Sequence, residues 1–450
     1  MKKKALLIVV ITTLACFVPS SFAADIGGSN DGSTSFASSD GYALYLQDKV
    51  TLWFDSGQEK NSYLSAQGSY TYAIDQPYFF DLEKLSYTGI FPGALKGNSL
   101  LTFRAGRFHV SDFTGNVLDH NIDALSIELS YPSIITSLSV GYTGLLFAES
   151  SSVILSKADL SDFSTTDVLL GAPRLVEAVE FLFPELFWGQ DLVISFLAQQ
   201  DLRPEDELVA EGEENEIAGT GGKLNTQYYG LGIVGPLSSS LYHNLFFYLS
   251  TGSTLSYLAD AASGTGYSYS YQPILAYLFG AGLRYFNENA LYSKLELNVL
   301  FSSGDEDYTS YFEGNTAGRA GAFIPISQPV FGLVFSPDPG NMFFAELSYS
   351  LKPLARSKYT RMRELQTMIN AYGFFRPTVG AISEYGVDDT SDSLYLGTEI
   401  EGVVNFRPFS DLGVTLALGL FIPNNTSGGA FLEAERETEV FGRIDISFGF

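Results

Sequence analysis

The sequence lacks several features on which common classes of protein depend. It has one cysteine, Cys16, near the N-terminus, so we expect neither a disulfide framework nor thiolate chemistry in an exported chain. After residue 23 it has no run of eighteen apolar residues, which excludes transmembrane helices from the rest of the sequence. Basic residues are also few, since 25 Lys and Arg stand against 51 Asp and Glu. So acidic a chain is not expected to bind nucleic acid.

The N-terminus has the pattern of a secretory signal peptide. Three lysines at positions 2–4 precede an apolar run at 5–15, and the small residues around Ala23 suit cleavage there. We therefore predict a signal peptide at residues 1–23, whose loss leaves 22 basic and 51 acidic residues, a net charge of −29. The alternative is lipidation of Cys16, although Thr13 stands where a lipidation motif has an aliphatic residue.

The last nine residues alternate between apolar and polar side chains. Ile444, Ile446, Phe448 and Phe450 fall on one face of an extended strand, and the residues between them are polar or glycine. A chain that ends on an aromatic residue in this pattern resembles the C-terminal strand of bacterial outer-membrane β-barrels. We therefore expect the strand ending at Phe450 to be recognised by the barrel-assembly machinery.

The same alternation recurs along the chain. In one strand Leu295, Leu297 and Val299 oppose Lys294 and Glu296. Seventeen strands are predicted, near residues 41–55, 61–74, 78–88, 99–109, 122–131, 134–147, 168–182, 190–200, 226–235, 241–251, 270–286, 290–302, 341–352, 364–376, 393–406, 411–423 and 438–450. Residues 24–40 are rich in Gly, Ser and Asp, and we expect a short flexible lead there.

Periodicity alone fits both a soluble β-sandwich and a membrane barrel, because one face of each strand is apolar in both. The export signal, the terminal aromatic residue, the number of strands and the alternation of short with long links favour the barrel. The predicted fold is all-β, a single transmembrane antiparallel up-and-down β-barrel over residues 41–450. Since bacterial barrels have an even number of strands, we expect 18 strands, with 16 as the alternative, and one strand missed between residues 41 and 131.

No set of residues predicts catalysis, so we expect neither an enzyme nor a cofactor or metal site. The histidines, His109, His120 and His243, do not have metal-ligand spacing, although a hydrolase around His109 and His120 can be imagined. The acidic stretch at 201–216 lacks the oxygen-ligand pattern of a calcium loop and fits a solvated loop, weak cation binding being the alternative.

The strand pattern also selects candidate charges for the inside of the barrel. Inward positions on the polar faces hold the predicted pore-lining residues, which are Arg104, Lys294, Glu296, Glu399, Glu401 and Arg407. Five basic residues lie within twelve positions and are candidates for a pore mouth or, equally, for a solvated turn: Lys352, Arg356, Lys358, Arg361 and Arg363.

Several segments resemble the alginate-export family of outer-membrane porins. They occur in that family's order over about a third of the chain, at residues 104–107, 121–124, 303–305, 323–325, 396–400 and 421–423. Ala124 and Glu401 depart from the family's Gly and Asp. The resemblance implies an eighteen-stranded porin. The acidic balance of the chain disfavours export of a polyanion, which in that family passes through a basic lumen.

We therefore expect a channel for passive diffusion of small hydrophilic solutes in the outer membrane of a double-membraned bacterium, with selectivity set by lumen charges. The alternative is a plugged barrel, with the 303–340 loop folded inward and surface loops acting as an adhesin or receptor. The expected partners are outer-membrane lipid and a small solute. The sequence leaves the oligomeric state open.

Overall fold

The chain is described by a computed structural model that covers residues 23–39, 41–58, 61–74, 76–95, 97–165, 168–216, 221–308, 310–432 and 435–450. Cys16 and the predicted signal peptide, apart from Ala23, lie outside these residues. None of the helices within them is long and apolar enough to cross a membrane.

Strands dominate the described residues, and they form one closed sheet. The strands are β1 (Ala23–Ala37), β2 (Leu44–Gln58), β3 (Ser62–Ala73), β4 (Gln76–Pro92), β5 (Leu100–Ser111), β6 (Asp119–Tyr131), β7 (Ile134–Tyr142), β8 (Arg174–Phe187), β9 (Gln190–Asp201), β10 (Asn225–Pro236), β11 (Leu241–Ala259), β12 (Tyr267–Asn287), β13 (Ser293–Ser302), β14 (Phe343–Leu351), β15 (Gln366–Phe375), β16 (Tyr395–Phe406), β17 (Leu412–Pro423) and β18 (Glu439–Gly449). Each pairs antiparallel with the next, and β18 pairs with β1. The predicted antiparallel up-and-down barrel of 18 strands is confirmed, and the alternative of 16 is wrong.

The prediction of a flexible lead at residues 24–40 is wrong, because β1 occupies most of that segment. The missing strand therefore precedes residue 41 instead of lying between 41 and 131. The outward positions of β1 include Gly28, Asn30 and Gly32, so the apolar alternation that revealed the other strands is faint here. Pairing on both sides holds β1 in place, and Gly28 and Phe450 exchange two backbone hydrogen bonds of 2.9 Å.

The two faces of the strands differ as the alternation predicts. Outward positions carry exposed apolar side chains, among them Leu295, Leu297, Ile400, Leu416 and Ile444. Inward positions are mainly polar, charged or covered by loops. Among the described residues these outward apolar side chains are exposed, which is the arrangement of a barrel that faces hydrocarbon.

Loop lengths divide the barrel into a long-loop end and a short-turn end. Links of two to five residues, at 132–133, 188–189, 237–240, 288–292 and 407–411, lie at the short-turn end. Links of fifteen to forty residues, at 143–173, 202–224, 303–342, 376–394 and 424–438, lie at the other. These links hold the helix α1 (Lys157–Ser164) and 3₁₀ turns at Ala148–Ser150, Glu205–Glu207 and Thr316–Gly318, while a fourth, Thr360–Glu364, lies at the short-turn end. In outer-membrane barrels the short turns face the periplasm.

Candidate functional site: the lumen and its inward loops

The longest loop, between β13 and β14, folds into the barrel. We call residues 323–335 of this loop the inward segment. Its first part contacts the wall through the Tyr228 hydroxyl, which donates to the carbonyl of Ile324 at 2.7 Å. It also contacts a second loop, since the N–H of Ile326 donates to the carbonyl of Val117 at 2.8 Å. The inward segment therefore starts on the β10 side of the lumen.

The end of the inward segment is held by two carboxylates of β16. The N–H groups of Leu333 and Val334 donate to Glu399 Oε1 at 2.9 and 2.8 Å, and that of Phe335 donates to Oε2 at 2.9 Å. Leu333 also donates to Glu401 Oε1 at 2.7 Å. These bonds satisfy N–H groups that the loop buries, so the two glutamates form an anchor for the inward segment.

Aromatic packing surrounds the same anchor. The Phe335 ring stacks on that of Phe421, with centroids 4.3 Å apart, and meets the Phe374 ring edge-on at 4.9 Å. The buried guanidinium of Arg436 lies 4.9 Å from the centre of the Phe335 ring and pairs with Glu384 at 3.0 Å. These contacts join the β13–β14, β15–β16 and β17–β18 loops to one another beside the wall.

The β7–β8 loop is fixed by a buried ionic cluster. Asp159, on α1, accepts from Arg174 at 2.7 Å and from Arg203, and its Oδ2 also accepts the N–H of Leu155 at 2.8 Å. Arg174 is fully buried and donates to Gln199 on β9 at 2.9 Å. Ser156 and Asp159 also form a capping box that starts α1. The cluster ties this loop to the inner wall.

Two carboxyl groups in the loops are buried, and few neighbouring groups stabilise their charged forms. Burial raises the pKa of Glu313 to about 7, although Lys157 lies 3.7 Å from it and opposes the rise. Burial also raises the pKa of Asp338 to about 7, and the charge of Glu384 adds to the effect. Both groups gain protons near neutral pH, so the charge of the loop region changes there.

The loops cover only part of the wall. Large inward residues on β10–β17, such as Tyr248, Phe344 and Phe421, are buried beneath them. Several charged inward residues of β18, β2 and β4 keep solvent contact, among them Lys49, paired with Glu83 at 2.5 Å, and Arg443, paired with Asp445 at 2.9 Å, while small inward residues between them, such as Ser69, are buried. We call this uncovered arc, β18 and β1–β5, the open sector.

A cavity of about 220 Å³ lies along the open sector. Its lining is formed by Tyr63, Gln67, Glu83, Lys84, Ser86, Thr88, Arg104, Phe108, His109 and Asn121. The Arg104 guanidinium lies 5.1 Å from the centre of the Phe108 ring, and the hydroxyls of Ser86 and Thr88 are buried without a hydrogen-bond partner. Lys84 and Arg104 have no carboxylate partner among the described residues, so the cavity carries uncompensated positive charge.

The predicted pore-lining residues fall into four groups. Arg104 lines the cavity, while Glu399 and Glu401 face inward but are covered by the inward segment. Lys294 and Glu296 form an inward pair at 2.6 Å, with Arg284 on the other side of the carboxylate. Arg407 lies in the β16–β17 turn, one residue beyond β16, and donates to the carbonyl of Ser410 at 3.0 Å, so its pore-lining role stays a prediction.

The five predicted pore-mouth residues all lie between β14 and β15. They therefore occupy one arc of the short-turn end and do not form a ring around an opening. Lys352 pairs with Glu364 at 2.6 Å, and Arg356 donates to the carbonyl of Asn289 in a neighbouring turn at 3.2 Å. Their influence on entering ions stays a prediction.

The histidines do not converge on a nucleophile. His109 pairs with Asp119 at 2.9 Å, and His243 Nδ1 lies 3.1 Å from the carbonyl oxygen of Gly235. Within the part of the chain that the structure describes, no three His, Cys, Asp or Glu side chains are grouped to hold a metal ion.

Sequence analysis missed the residues that hold the loops. The Ser156–Asp159 capping-box spacing was the one available signal for the ionic cluster. No local pattern in the sequence indicates the partners of Arg174, Arg203 and Arg436. The fold brings these arginines to their carboxylate and aromatic partners.

Comparisons with known proteins identify the fold. No family model matches the sequence and no curated protein matches it, so the resemblance to the alginate-export family stays a prediction. Solved structures of Pseudomonas aeruginosa outer-membrane porins do match. OccK5 (OpdH) has a TM-score of 0.55 at 12% identity, covering 95% of this chain and 98% of that chain. OccK11 (OpdR) has a TM-score of 0.55 at 11% identity, covering 95% of this chain and 96% of that chain. OpdQ has a TM-score of 0.54 at 11% identity, covering 96% of this chain and 99% of that chain. The likeness runs over nearly the whole length, and this chain has the fold of an eighteen-stranded outer-membrane porin.

Proposed function

We propose that the protein is a passive channel for small hydrophilic solutes in the outer membrane, without catalysis. The observation that carries this proposal is the open sector, where polar and charged inward side chains keep solvent contact beside the inward loops. A closed barrel of 18 strands is wide enough to hold water unless loops fill it. The fold shared with outer-membrane porins supports the same function.

Size exclusion and the charges of the open sector would set selectivity. The sector holds both signs, with Lys84 and Arg104 on the cavity wall and Glu83, Asp445 and other acids nearby. Opposed charges across a narrow lumen create a transverse field that polar solutes cross more readily than apolar ones. Small polar solutes of mixed charge therefore fit the lumen better than large polyanions.

Swelling of proteoliposomes in a series of neutral sugars tests this function. Rates should exceed those of protein-free liposomes for the smallest sugars and fall steeply as the sugar grows. Rates equal to the protein-free control for every solute, with folded protein confirmed in the membrane, would refute the channel.

A second candidate is a plugged barrel whose surface loops bind a partner. The observation that favours it is the anchoring of the inward segment by Glu399, Glu401 and the aromatic cluster around Phe335. It predicts no solute uptake by the intact protein and uptake after deletion of residues 323–335. Uptake by the intact protein would reject this candidate.

We also propose that the barrel-assembly machinery recognises β18. Phe448 and Phe450 lie on its outward face with their ring centroids 6.3 Å apart, and the strand closes the barrel against β1. Replacement of Phe450 by Ser should slow insertion into the outer membrane of cells while leaving refolding into detergent unchanged. Equal insertion of both proteins would contradict this role.

A further inference from the structure

The positive charge of this acidic chain is concentrated on one part of the short-turn end. Five of its 25 Lys and Arg residues lie between positions 352 and 363. The segment contains one acidic residue within the turn, Glu364, and this residue pairs with Lys352. We call Lys352–Glu364, together with the β12–β13 and β16–β17 turns that flank it, the basic face.

Contacts between turns make the basic face continuous. On one side, Arg356 donates to the carbonyl of Asn289 in the β12–β13 turn at 3.2 Å. On the other side the guanidinium of Arg361 lies 4.4 Å from the centre of the Phe409 ring in the β16–β17 turn. Three successive turns of the rim therefore form one surface, held together by its own arginines.

Four cations of this face are not paired with a carboxylate, although its flanking turns also contain Glu288 and Asp411. Arg356, Lys358, Arg361 and Arg363 have no carboxylate within 4.0 Å among the residues that the structure describes. Arg363 donates only to the carbonyl of Ser357, at 2.7 Å, and all four side chains are exposed. Four cations with free donor groups remain available to an anionic ligand.

Exposed aromatic residues lie among these cations. Tyr292, Tyr359 and Phe409 are 62%, 63% and 48% exposed, and Lys358 lies 5.1 Å from the centre of the Tyr359 ring. Aromatic and basic residues together are typical of the membrane–water interface, where rings lie at headgroup depth. A purely electrostatic site for a soluble acidic partner does not need the aromatic residues.

The basic face lies next to the end of the outward apolar band. Tyr349 and Ile369 are paired across β14 and β15, and both are exposed on the outward apolar band. Lys352 follows Tyr349 by three residues, which is roughly 10 Å along a strand. In a barrel that spans the membrane, this spacing would bring the turn to the layer of the lipid phosphates.

We propose that the basic face binds the phosphate groups of anionic phospholipids in the leaflet at the short-turn end. The arginines would donate to phosphate oxygens, and Tyr359, Tyr292 and Phe409 would lie among the glycerol and ester groups. This requires the barrel to span the membrane and does not depend on whether its lumen conducts solutes.

The test uses the full chain refolded in detergent and titrated with phosphatidylglycerol, with native mass spectrometry to count bound lipids. The rim variant carries Arg356→Gln, Lys358→Gln, Arg361→Gln and Arg363→Gln. The control variant removes the same charge from the open sector, with Lys49→Gln, Lys84→Gln, Arg104→Gln and Arg443→Gln. Heat-modifiable migration on gels confirms that all three proteins are folded.

The rim variant should bind phosphatidylglycerol at least ten-fold more weakly than the wild type, and the control variant within two-fold of it. Phosphatidylcholine should bind equally weakly to all three. Equal losses in the two variants, or no loss in the rim variant, would overturn the proposal. So would displacement of the lipid by inorganic phosphate at equal concentration, since that would assign the face to a soluble anion.

Discussion

The carboxylate of Glu399 accepts the backbone N–H of Phe335 at 2.9 Å, and this contact joins the barrel wall to a loop segment inside it. The residues are 64 positions apart in sequence. Two further N–H groups donate to the same carboxylate, so a single side chain holds three consecutive residues of the inward segment. The width of the lumen therefore depends on this anchor as well as on the number of strands.

Substitution of Glu399 should loosen the attachment of the inward segment to the wall. In Glu399→Gln the side chain keeps one acceptor oxygen and gains an NH₂ group that faces backbone donors, so at least one buried N–H loses its partner. Loss of a charge-assisted hydrogen bond costs about 1.5–3 kcal/mol, and the inward segment should become accessible to proteases. Glu128→Gln is the matched control, since Glu128 faces inward on β6 and accepts only from Ser130. Equal protease resistance in both variants would contradict the anchor.

Removal of Asp159 should release the β7–β8 loop. Asp159→Asn removes the counter-charge that Arg174 and Arg203 share and leaves each of them one carboxylate, Asp201 at 3.5 Å and Asp162 at 3.0 Å. Loss of hydrogen bonds to a buried charge costs about 1.5–3 kcal/mol each. Amide hydrogen exchange of residues 151–165 measures the effect, which should be a large rise in rate. The control is Asp162→Asn, because Asp162 is partly exposed and its pair with Arg203 contributes about 0–1 kcal/mol. Slow exchange in Asp159→Asn would exclude the cluster as the support of the loop.

Replacement of Gly106 by Ala should strain β5. Gly106 has φ of +114°, and a Cβ placed there would lie 2.1 Å from the carbonyl oxygen of Leu85. Such a conformation costs a non-glycine residue about 1–3 kcal/mol, before the clash is counted. The midpoint of urea unfolding should fall relative to the wild type. Gly402→Ala, where nothing lies within 4 Å, should leave the midpoint nearly unchanged. Equal urea midpoints for the two variants would contradict backbone strain at Gly106.

The cavity cations should control ion selectivity. Neutralisation by Lys84→Gln with Arg104→Gln leaves the open sector dominated by carboxylates, so the pore should become more selective for cations. The reversal potential in a salt gradient measures this change. Arg407→Gln removes a charge from the turn outside the wall and should shift the potential much less. A larger shift for Arg407→Gln would place the selectivity outside the cavity.

Most of the fold was predictable because period-two alternation reports directly on strands that face hydrocarbon on one side. All seventeen predicted strands exist, and the failure at β1 arose because Gly28, Asn30 and Gly32 weaken the alternation there. The same periodicity placed Arg104 and Glu399 on the inner face. For Arg407 it could not show that β16 ends one residue earlier, so that this side chain belongs to a turn.

The inward loops could not be predicted in the same way. Their contacts join residues far apart in sequence, such as Ser327 and Asp119, which are 208 positions apart. No local pattern encodes such pairs, because each loop residue is selected by the shape and charge of a distant wall. The sequence therefore predicted that Glu399 faces inward, but it did not predict that Glu399 anchors a loop.

Passive diffusion requires the open sector to provide a continuous aqueous path beside the inward loops. Single-channel recording of the refolded protein in a planar bilayer tests it most directly. We predict discrete current steps whose size scales with the conductivity of the salt solution. No conductance above that of the bare bilayer, with the folded barrel shown to be inserted, would contradict the claim.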